Sequence, residues 1–382
     1  MTVKRVGGGR IAVLAAIGLA AIGACVLLLG SGASSTQHRA AHGCSWRAIP
    51  AGSAGARWPA CRRPYRADSP FNQRLGGSPR LAADSSPTVA GLFGSVSVTP
   101  AVVGDPARDG GVAIYRSRPR DPLYTLHCTK HWGRCEIEGA RVRIPAAARP
   151  AGVWPDPGDV SDGHMTVVDP RSKLEYDLWN VKSKPLHGGR LDFAWGGRTR
   201  IDGSGLGSAA VASGRAGLAG VVRARELVSG RIDHALSMVV PCTAGRVYPA
   251  DGRGLSCAPL GLSARSAPAM GARLQLAMSD PEIDALQLPL WQRGILRALS
   301  RYGAFVSDTN GQSHAGFEYE SPADYASFGD TDPRIALAKR LGAQPEDFNG
   351  NGQLEYWLAF SAAIDWGRMR VIAPCVSRGT CD

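Results

Sequence analysis

Two acidic residues stand two positions apart in a short run of strand-like composition, Glu175 and Asp177. Side chains alternate between the two faces of a strand, so both carboxyl groups lie on one face. The same face carries Trp179, whereas the other face carries Leu174, Tyr176 and Leu178. Because the apolar face needs a core, we expect the acidic face to form the floor of an open groove. Glycoside hydrolases catalyse hydrolysis with two carboxyl groups, one on either side of the glycosidic bond.

The alternative environment for these carboxyl groups is a buried one. Two unpaired acids are costly to bury, so this alternative requires a basic partner. Arg198 and Arg200 follow on the next strand-like run and are the candidates for that ion pair. The sequence leaves both environments open for Glu175 and Asp177.

Two histidines at predicted strand starts, His164 and His234, are further candidates for general base chemistry. Each has an aspartate one or two residues before it in the chain. His234 is also in phase with the apolar residues Ile232 and Leu236, which is typical of a histidine in the core.

A polysaccharide lyase needs a base beside a uronate and a cation that neutralises its carboxyl group. Tyr176 is a candidate base, and Arg198 and Arg200 are candidate partners of the carboxyl group. Trp179 and Trp195 supply aromatic rings for sugar binding, so we expect these five residues to contact the substrate.

The segment from Glu175 to Trp179 resembles part of the E-x-D-x-x-E strand of laminarinase-type glycoside hydrolases. That resemblance implies a concanavalin-like sandwich and a sugar substrate. The second glutamate of the family strand is missing, because Trp179 and Asn180 stand where it belongs. The acid/base role of that glutamate therefore has no occupant in this chain.

Residues 347–355 resemble a calcium loop, with oxygen ligands at alternate positions and a glycine at the sixth. The candidate ligands are Asp347, Asn349, Asn351 and Glu355. Leu358 occupies the twelfth position, where an EF-hand carries its bidentate acid. An Asn-Gly turn explains the same residues. We expect no required cofactor, and a structural Ca²⁺ as the one metal candidate.

The elements that must position these residues are mostly strands. An antiparallel meander is predicted at His164–Asp169, Leu174–Val181 and Arg190–Ile201, with turn residues between the runs. Further strands are predicted at Gly111–Ser117, Ala140–Ile144, His234–Pro241, Ala272–Ala277 and Ala304–Asp308. Helices are predicted at Ser208–Leu218, Ala224–Val228, Leu290–Tyr302 and Pro333–Leu341, and another begins at Ser279 or Asp280. This pattern predicts a mainly β fold, an antiparallel β-sandwich or jelly roll with short helical insertions.

The N-terminus indicates export. Basic residues precede an apolar run from Ile11 to Leu29, which predicts a signal peptide or N-terminal membrane anchor in residues 1–35. Lipid attachment at Cys25 is a third interpretation. Residues 36–68 have the composition of an irregular linker, and 69–382 are expected to form a single β-rich domain.

The chain has nine cysteines, of which Cys25 lies in the apolar run. An even number remains, which in an exported chain predicts disulfides. Proximity suggests the pairs Cys44–Cys61, Cys128–Cys135, Cys242–Cys257 and Cys375–Cys381. Zinc is the rival interpretation at Cys128, because His127 and His131 flank it.

The net charge of +12 favours anionic partners, although a solvated basic surface explains it too. We see no nucleic-acid motif, and expect membrane contact only through the N-terminal segment. Stretches such as DPLYTLHCTKHWGRC and SGRIDHAL resemble exported actinobacterial proteins of unknown function over most of residues 69–310. The sequence thus predicts a secreted or extracytoplasmic carbohydrate-active protein, a glycoside hydrolase or polysaccharide lyase. Its alternative is a non-catalytic cell-surface protein that binds a polysaccharide or an anionic cell-wall polymer.

Overall fold

Short strands alternate with a few short helices along the chain. The structure, a computed structural model, describes residues 63–107, 110–152, 162–181, 184–348 and 350–381. The strands are β1 Ser97–Val98, β2 Ala101–Val103, β3 Ala113–Arg116, β4 Leu123–Cys128, β5 Arg141–Arg143, β6 Met165–Asp169, β7 Leu174–Trp179, β8 Gly189–Phe193, β9 Trp195–Arg200, β10 Leu236–Val240, β11 Arg273–Leu276, β12 Ala304–Thr309, β13 His314–Phe317, β14 Pro345–Glu346, β15 Glu355–Leu358 and β16 Met369–Ile372. The helices are α1 Ser85–Ser95, α2 Ala224–Ser229, α3 Asp280–Ala285, α4 Leu290–Arg301, α5 Ala323–Ala326, α6 Pro333–Arg340 and α7 Pro374–Arg378. The mainly β fold with short helices is therefore confirmed.

The described strands form four sheets. The large sheet has the order β1-β13-β10-β12-β11-β16, and a small one has the order β14-β15-β2. The acidic sheet, named for Glu175 and Asp177, has the order β3-β6-β7-β9, and the side sheet has the order β5-β4-β8. Parallel pairs occur in three of the four, namely β1 with β13, β10 with β12, β3 with β6 and β4 with β8. The sheets are thus mixed rather than purely antiparallel.

The predicted antiparallel pairing of the three runs is confirmed, but the third run contains two strands rather than one. β6 pairs antiparallel with β7, and β7 pairs antiparallel with β9. The third run, however, divides at Ala194 into β8 and β9. β8 leaves the acidic sheet and pairs in parallel with β4 in the side sheet. The run therefore serves two sheets, which its composition does not show.

Two sheets contribute to one hydrophobic core below the acidic sheet. Tyr176 and Leu178 of β7 pack in the same cluster as Leu126 of β4 and Phe193 of β8. This arrangement explains why the apolar face of β7 is buried. A second core covers the large sheet, where the buried face of α4 presents residues such as Ile295 to the strands.

Most helix predictions are confirmed, and one is wrong. Ser279 caps α3 by accepting the backbone N–H of Glu282, and Gly230 ends α2 in the left-handed conformation. Residues 208–218, by contrast, form turns and irregular backbone with no helix. Gly214 in this segment has φ of +73°, a left-handed value incompatible with a continuous α-helix.

Three of the four expected disulfides are present, Cys128–Cys135, Cys242–Cys257 and Cys375–Cys381. The fourth pair, the apolar N-terminal run and most of the expected linker lie outside the described residues. Disulfides are typical of an oxidising, extracytoplasmic environment. Among the described residues, no helix combines the length and apolar character needed to cross a bilayer. All described residues belong to one compact unit, Cys44–Asp382.

Candidate functional site

The two carboxyl groups of β7 share one face of the acidic sheet, as alternation predicts, but that face is not open. Glu175 is 0% exposed and Asp177 is 1% exposed. The expectation of an open groove floor is therefore wrong at these two residues. The physical reason is a covering segment, residues 203–221, which lies on the acidic face. A Cβ added at Gly217 would collide with the side chains of Thr166 and Asp177, so this segment touches the strands directly.

Each buried carboxyl group has hydrogen-bond donors around it. The Tyr65 hydroxyl donates to Glu175 Oε2 at 2.8 Å, and the Leu218 backbone N–H donates to Glu175 Oε1 at 2.7 Å. Thr166 Oγ1 donates to Asp177 Oδ1 at 2.7 Å. Burial raises the pKa of Glu175 well above its ordinary value, and the charge of Asp177 raises it further. Burial also raises the pKa of Asp177. The pair thus favours holding a proton, because two adjacent anions in a dry site repel each other.

The two arginines expected to pair with Glu175 and Asp177 pair with other acids. Arg198 and Arg200 point away from the acidic face, since Arg198 is paired in register with Tyr176 and Arg200 with Leu174. Arg198 forms an ion pair with Glu136 at 3.0 Å, and Arg200 forms one with Asp202 at 2.9 Å. The predicted pairing of either arginine with Glu175 or Asp177 is therefore wrong.

The five expected substrate-binding residues are divided between the two faces of the acidic sheet. Tyr176, Arg198 and Arg200 lie on one face, and Tyr176 is buried in the core. Trp179 and Trp195 lie on the other face, where they are paired directly across β7 and β9. The two tryptophans therefore lie at one surface, apart from the two exposed arginines on the opposite face.

His234 is buried, and its ring bonds to neither Glu175 nor Asp177. Its Nδ1 donates to the Ala235 carbonyl at 2.8 Å, and its Nε2 lies 3.2 Å from Glu226 Oε2. Burial, together with the nearby charge of Arg223, lowers the pKa of His234 to about 4. Each ring nitrogen therefore has a neighbouring oxygen atom. This agrees with the core histidine predicted from the spacing of Ile232, His234 and Leu236.

His164 belongs to a half-buried group of charges that the sequence did not indicate. Burial raises the pKa of Asp308 and the charge of Glu318 adds to this, whereas His164 and Arg215 lower it. The buried Arg215 belongs to the same group, with its Nη2 atom 3.5 Å from Glu318 Oε1. Asp308 and Glu318 come from the large sheet and are distant in sequence from β7, so no local motif identifies them.

Three tryptophans form an exposed platform at the end of the acidic sheet where β7 ends and β9 begins. We define the tryptophan platform as Trp132, Trp179 and Trp195. The ring of Trp132 stacks on that of Trp179 with centroids 5.6 Å apart, and its centroid lies 5.8 Å from that of Trp195. Trp132 is nevertheless 64% exposed, whereas Trp179 and Trp195 are half-buried. One broad aromatic surface is therefore open to solvent.

A short disulfide-closed loop presents Trp132. Cys128 ends β4 and is bonded to Cys135, which closes a loop of a few residues around the tryptophan. The backbone N–H of Thr129 donates to the Phe193 carbonyl at 2.8 Å, and that of Lys130 donates to the Ala194 carbonyl at 3.1 Å. These bonds fix the loop beside the start of β9. A tryptophan between two neighbouring cysteines is the sequence feature that could have identified this residue. Because Cys128 is in a disulfide, it offers no thiolate to zinc.

The residues of the predicted calcium loop are engaged in a turn. Asp347 accepts the backbone N–H groups of Asn351 and Gly352, each at 3.0 Å. Glu355 is buried and accepts the indole N–H of Trp357 at 2.9 Å. Asn349 lies outside the described residues. No group of three or more His, Cys, Asp or Glu side chains in the described part of the chain is arranged to hold a metal ion. Calcium binding stays a prediction.

Comparison with protein-family models, curated proteins and solved structures finds no match for this chain. The site must therefore be interpreted from its own geometry.

Proposed function

We propose that this chain is an exported protein that binds a polysaccharide on the tryptophan platform. The observation that carries the proposal is Trp132, which is 64% exposed while it contacts two other indole rings. Exposing a large aromatic surface is unfavourable unless a ligand covers it, so such surfaces mark interaction sites. Sugar rings present C–H groups that pack on aromatic faces.

The scaffold suits such a role. The platform lies on paired strands and on a loop closed by a disulfide, so the three rings need little ordering when a ligand binds. We further propose that the acidic sheet and the side sheet form the two layers of the β-sandwich expected from the sequence. Their shared hydrophobic core supports that arrangement. Export is supported by the disulfides of the described residues.

A catalytic role as a glycoside hydrolase or polysaccharide lyase stays a second proposal. It is less favoured because a substrate cannot reach the buried Glu175 and Asp177 while the covering segment is in place. The half-buried Asp308 and Glu318 are a different pair of acids. The two have unequal environments, because Arg215 lies against Glu318. Two carboxyl groups in unequal environments are what glycoside hydrolysis requires.

The test replaces Trp132 with alanine and measures binding to a panel of purified polysaccharides by calorimetry. For each polysaccharide that the wild type binds, we expect Trp132→Ala to weaken affinity about tenfold, equivalent to about 1.4 kcal/mol for one lost stacking contact. An unchanged melting temperature in this variant would show that the loss of affinity comes from the missing indole ring and not from unfolding.

Phe348→Ala is the matched control, because Phe348 is 63% exposed and also contacts a tryptophan, Trp357. We expect this control to bind like the wild type. Binding that survives Trp132→Ala without loss would refute the platform. The same panel, assayed for reducing ends and for unsaturated uronates, tests the catalytic proposal.

A further inference from the structure

The loop that presents Trp132 also carries positive charge. Lys130 and Arg134 lie two residues before and two residues after Trp132, and His131 is adjacent to it. All three side chains are exposed. None of them forms an ion pair or a side-chain hydrogen bond with another residue in the ranges that the structure describes.

The acidic residues near this loop have hydrogen-bond or ion-pair partners of their own. Glu136 is paired with Arg198 at 3.0 Å. Glu138 accepts the backbone N–H of Cys128 at 2.7 Å and lies 2.9 Å from His127 Nδ1. These contacts lower the pKa of Glu138 and keep it ionised. The two acids that follow the loop therefore have partners of their own. The side chains of Lys130 and Arg134 on the loop have none among the described residues.

One acid does touch the platform. Asp162 Oδ1 accepts the indole N–H of Trp179 at 3.2 Å. In the described part of the chain, Lys130 and Arg134 flank Trp132, whereas Asp162 is the acid that bonds to a ring of the platform. Unpaired surface cations cost nothing in water, but they gain energy when an anionic ligand approaches.

Resting on the proposed function, we propose that the ligand of the tryptophan platform is an anionic polysaccharide, whose acidic groups pair with Lys130 and Arg134 while its sugar rings stack on Trp132. The loop closed by Cys128 and Cys135 holds both kinds of contact within a few residues. A neutral glycan would use the rings and leave the cations unused.

The experiment compares two polymers that share a backbone. Polygalacturonate is the anionic probe, and the same polymer with its carboxyl groups reduced to alcohols is the neutral probe. We expect the wild type to bind polygalacturonate about tenfold more tightly at low ionic strength, with the difference shrinking as salt is added. Dextran sulfate and dextran form a second matched pair, which distinguishes a general anion preference from one for carboxylates.

The double variant Lys130→Ala/Arg134→Ala should bind both polymers with the affinity that the wild type has for the neutral one. Its control is Arg120→Ala/Arg171→Ala, which removes the same charge elsewhere. Both arginines are exposed. Arg120 precedes β4 and Arg171 precedes β7, so they lie at the strand ends opposite Cys128 and Trp179. We expect the control to retain the wild-type preference.

The outcomes separate the two proposals. Equal binding of both polymers by the wild type, with loss only in Trp132→Ala, would overturn the anionic ligand and leave the platform. Loss in the double variant with no loss in Trp132→Ala would mean attraction by charge alone, which overturns both. An equal loss in the charge control would also overturn the role of Lys130 and Arg134, because net charge would then explain the effect.

Discussion

Glu175 and Asp177 are two carboxyl groups that the fold removes from water together. Each keeps a hydroxyl donor, from Tyr65 and Thr166 respectively, and no arginine forms an ion pair with either among the described residues. A shared proton is the way to limit the repulsion in such a pair. Tyr65 comes from the expected linker, and its backbone N–H also donates to the Ile201 carbonyl. The pair therefore joins the beginning of the described chain to β7.

This proton makes stability depend on pH. Because folding raises the pKa of Glu175, the folded state binds the proton more tightly than the unfolded state. The resulting stabilisation is complete below the ordinary pKa of 4.5 and is lost as pH rises through the higher folded value. In Glu175→Gln the side chain stays neutral, so the free energy of unfolding should fall less steeply with pH. The slope should decrease by up to about 1.4 kcal/mol per pH unit.

Urea denaturation at a series of pH values measures this slope. Glu346→Gln is the matched control, since Glu346 is an exposed acid on β14, and its slope should equal that of the wild type. Equal slopes in the wild type and Glu175→Gln would show that Glu175 binds no extra proton in the folded state.

Glu175 and Asp177 also show how much of a site a local sequence pattern can predict. Alternation along β7 correctly assigns Glu175 and Asp177 to one face, because the pleat of a strand fixes this. Whether that face is wet depends on the covering segment, which is distant in sequence from β7. The glycines that allow the close approach, such as Gly217, look like ordinary turn residues until their neighbours are known.

At the scale of elements, strands and helices with strong local signals are predictable. The capping residue Ser279 and the apolar stripe of α4 correctly locate two helices. The failures have physical causes of their own. Residues 208–218 have helix-compatible small side chains, but tertiary contacts and the left-handed Gly214 hold them as irregular backbone. Strand partners are non-local, so neither the departure of β8 to the side sheet nor its parallel pairing with β4 could be anticipated.

The loop around Trp132 is the element on which the proposed binding depends. Replacing Cys128 and Cys135 with serine opens this loop, and we expect a loss of about 2 kcal/mol in the free energy of unfolding. We also expect several-fold weaker polysaccharide binding, because Trp132 must then be ordered when the ligand binds. Denaturation and calorimetry on the same variant measure the two effects.

A second disulfide provides the control for that variant. Cys375 and Cys381 are separated by 6 residues, against 7 for Cys128 and Cys135. Serine at both positions should cost a similar free energy of unfolding and leave binding intact. If both double variants bound polysaccharide equally well, the disulfide would have no part in presenting Trp132.

At the scale of the whole molecule, three disulfides each link neighbouring parts of the chain rather than distant elements. Their sequence separations are 7, 15 and 6 residues. Each one therefore restricts a local loop, while the hydrophobic cores hold the sheets together. Disulfides are typical of an oxidising compartment, so the oxidation state of the cysteines tests the disulfides of the fold and the support for export.

We expect all six of these cysteines to be unreactive in protein that is purified from the culture medium and denatured without reductant. An alkylating reagent followed by peptide mass spectrometry should find no label at these positions, and full labelling after reduction. The two cysteines of the expected fourth pair, Cys44 and Cys61, are measured in the same spectra. Reduction alone should also lower the melting temperature, because opening each loop increases the entropy of the unfolded chain. Labelled cysteines in the unreduced sample at any of the six positions would contradict the disulfide at that position, and labelling at all of them would remove the structural support for export.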